Sequence, residues 1–414
     1  MAGHIQDRWY KTETGSDGKP RKVKTDRYGV GLRYRARYIG PDGSEKSKSF
    51  PDRRKREAEQ WLGYLEADMA RGAYISPRAG RVTFQQYAEE WMKSQDADPA
   101  TRESVESRLR LHAFPHIGQR PMASFTPSHL RSWLRALEEI GLAAAYRRVI
   151  FAHVSTVFTA AVEDRIIHEN PCRSRSVKAP RLDPRKVAPW SYGQVRAVRH
   201  ALDDRYRVLV DLAAGCGLRQ GEAFGLGMED IDFESGTLHV VRQVKLLQGR
   251  PVFAPPKGGK PRYVPLPGSV AASVSAHLTR YPVSEAQLPW RTLDGPPLSV
   301  PLICRTSADQ AIGRNTFNAG YWRPALLAAG VEPGPGNGMH ALRHFYASVL
   351  LDAGESIKAL SEYLGHADPA FTLRTYTHLM PSSDSRTRSA VDALFGAPSH
   401  SDGPPAAPTG RTMA

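Results

Sequence analysis

The sequence predicts a mixed α/β multidomain protein: a small N-terminal β-sheet with a helix, then a helical domain, then a mainly helical domain with a small sheet. Three observations predict this. The chain has 414 residues, which is too long for one core of ordinary size. Residues 30–39 alternate apolar and polar side chains, as a strand does. Between residues 82 and 171 the apolar side chains recur at helical spacing.

Shifts in composition place the domain boundaries. We expect domains at residues 1–78, 79–175 and 190–396, and a linker at 176–189 that is rich in Pro, Arg and Lys. The tail, residues 397–414, is rich in Gly, Pro, Ser and Ala and is expected to be disordered.

The overall charge points to nucleic acid as the partner. The net charge is +15 and the pI about 9.8, which favours DNA first and an anionic membrane second. No apolar run approaches the roughly 20 residues that span a bilayer, and the N-terminus lacks the apolar core of a signal peptide. The three cysteines are far apart and form no Cys-x-x-Cys, so we expect a reducing cytoplasm, without a zinc site or disulfides.

The first domain concentrates basic residues on a predicted sheet. A strand over Val30–Ile39 would have one apolar and one arginine-rich face, followed by a turn and a second strand, Ser44–Phe50. Arg8–Thr12 is a candidate first strand, and a helix over Arg53–Arg71 would cover the apolar face. An open basic face is either solvated or bound in a DNA groove, and the net charge favours DNA. The DNA-binding candidates are Arg33, Arg35, Arg37, Lys46 and Lys48.

The second domain shows helices but no catalytic constellation. Thr126 followed by Pro127 is typical of a helix start, and Val149–Ile167 is a further apolar-periodic helix. Its arginines are each expected to be surface charges or contacts to a phosphate backbone.

The third domain begins with a capped helix over Ser191–Leu202 and then a glycine break. In Leu209–Leu226 an apolar helix is interrupted at Gly215 and Gly217, which places Arg219 at the beginning of a new helix. There, backbone amides and the guanidinium can both bind an oxyanion, and Glu222 can orient the arginine. An ordinary Arg–Glu surface pair is the alternative.

Two lysines follow on a glycine turn. After a predicted strand over Thr237–Gln243, Lys257 and Lys260 flank two glycines in a predicted hairpin. A lysine on such a loop can reach into a cleft, although a turn lysine is usually solvated.

The stretch Met339–Leu379 holds the residues that most strongly indicate a function. His340 and Arg343 are three residues apart, a spacing that puts both on one face of a helix. His366 follows in Leu-Gly-His, and Tyr376 comes ten residues later. A guanidinium and imidazoles around a phenol suit attack on a phosphodiester, because the phosphate charge must be bound and the tyrosine must lose its proton.

Five motifs, in this order and spacing, resemble those of the tyrosine recombinases, in particular phage-type or mobile-element integrases. They are Gly217-Leu-Arg-x-Gly-Glu222, Lys257-Gly-x-Lys-x-Arg-x-Val-Pro-Leu266, His340-x-Leu-Arg-His344, Leu364-Gly-His366 and Tyr376-Thr-His. The resemblance implies an arm-type DNA-binding domain, a helical core-binding (SAM-like) domain and a catalytic domain, in that order.

The resemblance also implies a role for each motif residue. Arg219 and Arg343 would bind the scissile phosphate, and Lys257, with Lys260 as its rival, would protonate the leaving 5′-oxygen. His340 and His366 would hydrogen-bond the phosphate and help deprotonation, and Tyr376 would be the nucleophile. Glu222 and His344 are expected to support the site. Two departures stand out: Ala341 where the family often has an acidic residue, and Tyr376 ten positions after His366 where nine is common.

The function expected from this resemblance is a site-specific recombinase that integrates or excises a phage genome or mobile element through a 3′-phosphotyrosyl intermediate. Neither metal nor cofactor is expected. The expected partners are core-type and arm-type DNA sites, three further protomers in a homotetramer on DNA, and as further candidates a host bending factor and an excision factor. Two alternatives stay open: a type IB topoisomerase-like activity that relaxes DNA, and a DNA-binding regulator that does not cut.

Overall fold

The computed structural model describes residues 3–16, 18–182 and 188–376, and the single positions 388, 391, 392 and 395. The chain divides into two units between Asp183 and Pro184, within the predicted linker. The predicted disordered tail, 397–414, lies outside the described residues.

The N-terminal part of the first unit is a sheet covered by a helix. Strands β1 (His4–Asp7), β4 (Tyr34–Ile39) and β5 (Glu45–Phe50) form an antiparallel sheet in the order β1-β4-β5. Tyr34, Ala36 and Tyr38 are buried on the face that helix α1 (Lys55–Ala70) covers. The predicted apolar face and covering helix are therefore present.

Two details of that prediction are wrong. The strand begins at Tyr34 rather than Val30, and Val30 and Leu32 are exposed, because the preceding residues form turns. The predicted strand Arg8–Thr12 is not part of the sheet either. Its residues 10–12 belong to a separate hairpin, in which β2 (Tyr10–Thr14) pairs with β3 (Pro20–Lys24), while Arg8 and Trp9 form a bend before it.

The rest of the first unit is a group of four helices around one core: α2 (Phe84–Ser94), α3 (Pro99–His112), α4 (Pro127–Glu139) and α5 (Ala144–Glu163). Helix α4 begins at Pro127, directly after Thr126, as predicted. Val177 packs on this core and Arg148 donates to the Pro180 carbonyl. The first residues of the predicted linker therefore pack against the helices.

The second unit combines helices with short strands. Its helices are α6 (Tyr192–Ala201), α7 (Asp204–Cys216), α8 (Gln220–Phe224), α9 (Gly268–Arg280), α10 (Arg314–Phe317), α11 (Arg323–Ala328), α12 (His340–Asp352), α13 (Ile357–Leu364) and α14 (Pro369–Tyr376). Its strands are β6 (Ile231–Asp232), β7 (Thr237–Val240), β8 (Gln243–Leu247), β9 (Arg250–Ala254), β10 (Arg262–Pro265), β11 (Ser284–Pro289) and β12 (Pro297–Leu302).

The strands of this unit form three small antiparallel sheets: β10-β7-β6, β8-β9 and β11-β12. The strand predicted over Thr237–Gln243 is divided between two of them, since β7 ends at Val240 and β8 begins at Gln243. Arg242 lies at the break and turns inward, where its guanidinium bonds Asp230 (2.6 Å) and Glu229 (2.5 Å).

Helix α12 packs on α7 and contacts α13, and Arg343 of α12 bonds the carbonyls of Gly217 and Leu364, so three of the sequence motifs meet here. Tyr376 of α14 belongs to a small core formed with apolar side chains of α12 and α13. The three cysteines are buried and free. Among the described helices, none is both long enough and apolar enough to cross a membrane.

Candidate active site

The glycine break after α7 directs Arg219 toward the centre of the site. Gly217 ends α7 with a positive φ of 65°, and a Cβ there would come within 2.5 Å of the Tyr346 ring. The turn makes Arg219 the residue immediately before α8. The predicted break at Gly217 and the helix start after Arg219 are confirmed, whereas the predicted break at Gly215 is wrong, because Gly215 lies inside α7.

Glu222 holds Arg219 at its backbone and its side chain. The carboxylate, 1% exposed, accepts hydrogen bonds from the Arg219 backbone N–H and from Arg219 Nη1, each at 2.9 Å. The carboxylate is therefore buried and Arg219 is half-buried, unlike an ordinary surface pair.

Arg262 is a second partner of Glu222 that sequence reasoning did not single out. From β10 it donates Nη1 and Nη2 to the Glu222 carboxylate, at 3.0 and 2.6 Å, and Nε to the Tyr363 carbonyl at 2.7 Å. Burial alone would raise the pKa of Glu222, but the bonds and charges of Arg262 and Arg219 outweigh it and lower the pKa to about 2. The alternation of side chains along β10 could have indicated this residue, because Arg262 occupies a buried position like Val264.

Arg343 is fully buried and has no carboxylate partner among the described residues. Its Nη1 donates to the Gly217 carbonyl (2.7 Å) and its Nη2 to the Leu364 carbonyl. Nε is buried and has no hydrogen-bond partner within the described part of the chain. Burial, and then the charge of Arg219, lowers the pKa of Arg343 to about 9. A buried donor and an uncompensated cation fit an anionic ligand.

His366 is oriented by two hydrogen bonds. Its Nε2 lies 3.1 Å from Arg343 Nη2, and its Nδ1 lies 2.7 Å from the Thr372 hydroxyl. Because a guanidinium only donates, Nε2 must accept, and the ring proton is on Nδ1. Burial and the charges of Arg343 and Arg219 lower the pKa of His366 to about 3, so the ring is neutral at pH 7.

Tyr376 is the last residue of α14 and is 1% exposed. Its hydroxyl lies 2.7 Å from Nδ1 of His344. Burial raises the pKa of Tyr376, against the opposing effect of the positive charges of Arg343 and Arg219. The phenol is therefore protonated at neutral pH and lies beside two cations.

His340 is at the solvent-exposed beginning of α12, and its ring contacts that of His344 at a centroid distance of 4.6 Å. Partial burial, and then His344, Arg343, Arg219 and Lys257, lower the pKa of His340 to about 4. Its exposed edge leaves it accessible to a ligand.

The two lysines lie on the exposed loop between β9 and β10. The predicted hairpin is wrong, since β9 pairs with β8 and β10 pairs with β7. Lys257, unlike Lys260, is among the main charges that lower the pKa of His340, which favours Lys257 as the lysine of the site.

The predicted DNA-binding residues of the first unit lie on both faces of its sheet. Arg33 pairs with Asp7 (2.8 Å) and Asp52 (3.0 Å). Arg37 pairs with Glu45 (3.0 Å), and Arg35 donates to the Ser47 hydroxyl (2.9 Å).

The two lysines of β5 are on the other face. Lys46 lies opposite Tyr38 and Lys48 opposite Ala36, so both share the face that α1 covers. Lys46 pairs with Asp42 and Lys48 lies over the Trp61 ring. The five candidates therefore do not lie on one face of the sheet.

Comparison with known proteins gives two family-model matches. The model described as the phage integrase family matches residues 193–382, and the model of the phage integrase central domain matches residues 84–176. Together they cover the helical part of the first unit and the candidate active site.

Individual relatives extend the similarity. A tyrosine recombinase XerC-like protein of Caldanaerobacter subterraneus subsp. tengcongensis is 29% identical over 257 residues, covering 58% of this chain and 64% of that protein. An integrase of Mycobacterium phage D29 is 26% identical over 365 residues, covering 85% of this chain and 91% of the integrase.

A solved structure has the same fold. A variant of the Tn1549 transposon integrase, in complex with a circular intermediate DNA, superposes with a TM-score of 0.63 at 19% identity. The superposition covers 76% of this chain and 100% of that one.

Proposed function

The chain belongs to the phage integrase family and is a site-specific tyrosine recombinase, and we propose that Tyr376 is the nucleophile with which it cuts and rejoins DNA. The observation that carries the proposal is a buried phenol beside a buried arginine that has an unused donor, Arg343 Nε. A phosphate oxygen would supply the missing acceptor.

Arg343 and Arg219 would bind the scissile phosphate from two sides. Arg343 is fixed by the turns at Gly217 and Leu364, and Arg219 by Glu222. Because these contacts exist before DNA binds, the guanidinium groups need little rearrangement as charge develops on the pentacoordinate phosphorus. His340 and His366 would add hydrogen bonds to the phosphate.

Attack by the Tyr376 oxygen would form a 3′-phosphotyrosyl bond and break the bond to the 5′-oxygen. Lys257 would protonate that oxygen from its exposed loop, with Lys260 as the alternative. The covalent link retains the phosphodiester energy, so a 5′-hydroxyl from a second duplex can reverse the step and exchange strands. By this reaction the protein would integrate or excise a phage genome or mobile element.

The DNA partners would divide between the regions of the chain. We assign arm-type sites to the N-terminal sheet, where the Arg35 guanidinium donates to a hydroxyl and pairs with no carboxylate of the described residues, and core-type sites to the helical and catalytic regions. The net charge of +15 would steer association with DNA. Such a protein would act in the cytoplasm on the nucleoid, with a host bending factor and an excision factor as further candidate partners.

Assembly into a homotetramer on DNA would use the C-terminal end. Val391 and Phe395 are exposed apolar side chains, with Phe395 84% exposed, while other residues of this stretch lie outside the described positions. Deleting the residues after Ala390 should weaken assembly in gel-shift assays on paired sites. Unchanged recombination by the shortened protein would contradict this assignment.

The decisive experiment traps the covalent complex on a nicked attachment-site duplex. Wild type should form a protein–DNA adduct that survives denaturation, and Tyr376→Phe should form none while binding the same DNA. An adduct with the variant would refute the nucleophile. Supercoiled plasmid without attachment sites tests the topoisomerase-like alternative, because a topoisomerase should relax this plasmid efficiently and a site-specific recombinase should not.

A further inference from the structure

The nucleophile is hydrogen-bonded to a histidine that the phosphate-binding set does not include. Tyr376 Oη lies 2.7 Å from His344 Nδ1, and the two rings meet at 61° with centroids 5.6 Å apart. We propose that His344 is a catalytic residue that takes the proton of Tyr376 as the phenol attacks the phosphate. This inference rests on the proposed nucleophile and adds its proton acceptor.

The other two histidines of the site are engaged differently. His366 directs Nε2 toward Arg343 and Nδ1 toward Thr372, so neither ring nitrogen faces the phenol. His340 contacts the His344 ring rather than Tyr376. In the part of the chain that the structure describes, His344 is therefore the histidine in contact with the reacting oxygen.

The environment of His344 keeps its imidazole ring in the neutral form, which can accept a proton. Burial, and then the charge of Arg343, lowers the pKa of His344 to about 4, so its ring is neutral at pH 7. The Tyr376 hydroxyl can donate or accept in this contact, and the proposed transfer uses the tautomer in which Nδ1 carries the lone pair and Nε2 the ring proton. A bound phosphate would offset the charges of Arg343 and Arg219 and raise the proton affinity of His344 as attack proceeds.

The proposed step balances in atoms and electrons. The Oη–P bond forms while the Oη–H proton moves to His344 Nδ1. The P–O5′ bond breaks, its electron pair leaves with O5′, and Lys257 or Lys260 supplies the proton that O5′ takes up. In rejoining, the lysine recovers its proton from the attacking 5′-hydroxyl, and His344 returns its own to the tyrosine oxygen.

Two substitutions separate proton acceptance from positioning. His344→Asn places an amide oxygen near the position of Nδ1, which can accept the hydrogen bond but not the proton. His344→Ala removes both. In single-turnover cleavage of a nicked site, both variants should form the covalent adduct about 10²-fold more slowly than wild type. The matched control is His239→Asn, at a histidine that stacks on Tyr263 and should leave the rate unchanged.

A substrate with a sulfur leaving group shows which of the two proton transfers a variant has lost. A substrate with a bridging 5′-phosphorothiolate needs no proton on its leaving atom, so it should rescue Lys257→Ala. It should not rescue His344→Asn, because the missing step is at the nucleophile. Rescue of His344→Asn by this substrate would overturn the assignment.

The pH profile distinguishes a base from a structural residue. The groups that face the pair are Arg343 and His340 on α12 and Arg219 before α8. Below the tyrosine pKa, each pH unit gives about tenfold more phenolate. The deficit of His344→Asn should therefore shrink steadily from pH 7 to 9.

Two outcomes would overturn the inference. One is a deficit that does not change with pH, and the other is cleavage by His344→Asn within about threefold of wild type. Absence of an adduct with wild type, or its presence with Tyr376→Phe, would instead count against the proposed function.

Discussion

The arginines of the N-terminal sheet and those of the active site differ in what neutralises them. On the sheet, Arg33 lies between Asp7 and Asp52, and Arg37 pairs with Glu45. In the active site, Arg343 is completely buried yet bonds two carbonyls and one imidazole. A buried cation without a carboxylate partner lowers the stability of the fold. Its presence here therefore indicates a binding site for an anion.

The active site itself contains both arrangements. Glu222 forms ion pairs with Arg219 and Arg262, whereas Arg343 forms no ion pair among the described residues. The arginines that pair with the carboxylate are held in place by it, whereas the positive charge of the remaining arginine can pair with an anionic ligand. Four predictions test this difference, from the largest expected effect to the smallest.

Replacing Arg343 should give the largest loss of activity. Arg343→Ala should slow single-turnover cleavage by about 10³-fold, because it removes a preorganised cation at the phosphate. Arg343→Lys, which keeps a charge but cannot bond both turns, should stay slow. Arg323→Ala, on the exposed surface of α11, is the control. Near-normal cleavage by Arg343→Lys would mean that charge alone is sufficient.

Replacing Glu222 should destabilise the second unit and slow cleavage less than loss of Arg343. Glu222→Gln leaves two buried guanidinium groups without their shared carboxylate, which should reduce the free energy of unfolding by about 3 kcal/mol. Urea denaturation measures this, with the exposed Glu234→Gln as control. If Glu222→Gln were as stable as wild type, the carboxylate would not be needed to neutralise the pair.

The same carboxylate should make stability depend on acid pH. The pKa of Glu222 falls from 4.5 to about 2 on folding, so its stabilising contribution is fully present above pH 4.5 and is lost as the pH falls toward 2. Wild type should therefore lose stability over this range faster than Glu222→Gln. Thermal melts at half-unit pH steps would detect it, and parallel curves would contradict the lowered pKa.

The smallest effect is expected on the N-terminal sheet, where replacing Arg35 and replacing Arg33 should change DNA binding differently. Arg35 donates to a hydroxyl, so Arg35→Ala should reduce the slope of log K against log salt for arm-type DNA by about 0.9, the value of one phosphate contact. Arg33→Ala should leave the slope unchanged, since two carboxylates already bind that guanidinium. Equal slope changes would show that these ion pairs open on DNA.

Much of the fold could be predicted from local pattern. The helix break at Gly217 and the helix start at Pro127 follow from residue preferences that act over a few positions. The prediction of one strand over Thr237–Gln243 is wrong. The strand is interrupted where Arg242 turns inward to two acidic residues that lie outside the predicted strand. The lysine hairpin failed because strand pairing depends on partners elsewhere in the chain.

The sequence by itself determined the family and predicted the residues that we propose carry its chemistry, because the order and spacing of motifs can be read without knowledge of the fold. Only the tertiary structure decided which of these residues touch one another. It joined Glu222 to Arg262, left Arg343 Nε without a hydrogen-bond partner among the described residues, and placed Tyr376 in contact with His344. The physical reason is that hydrogen bonds and burial depend on distances between segments far apart in sequence, which no local pattern records.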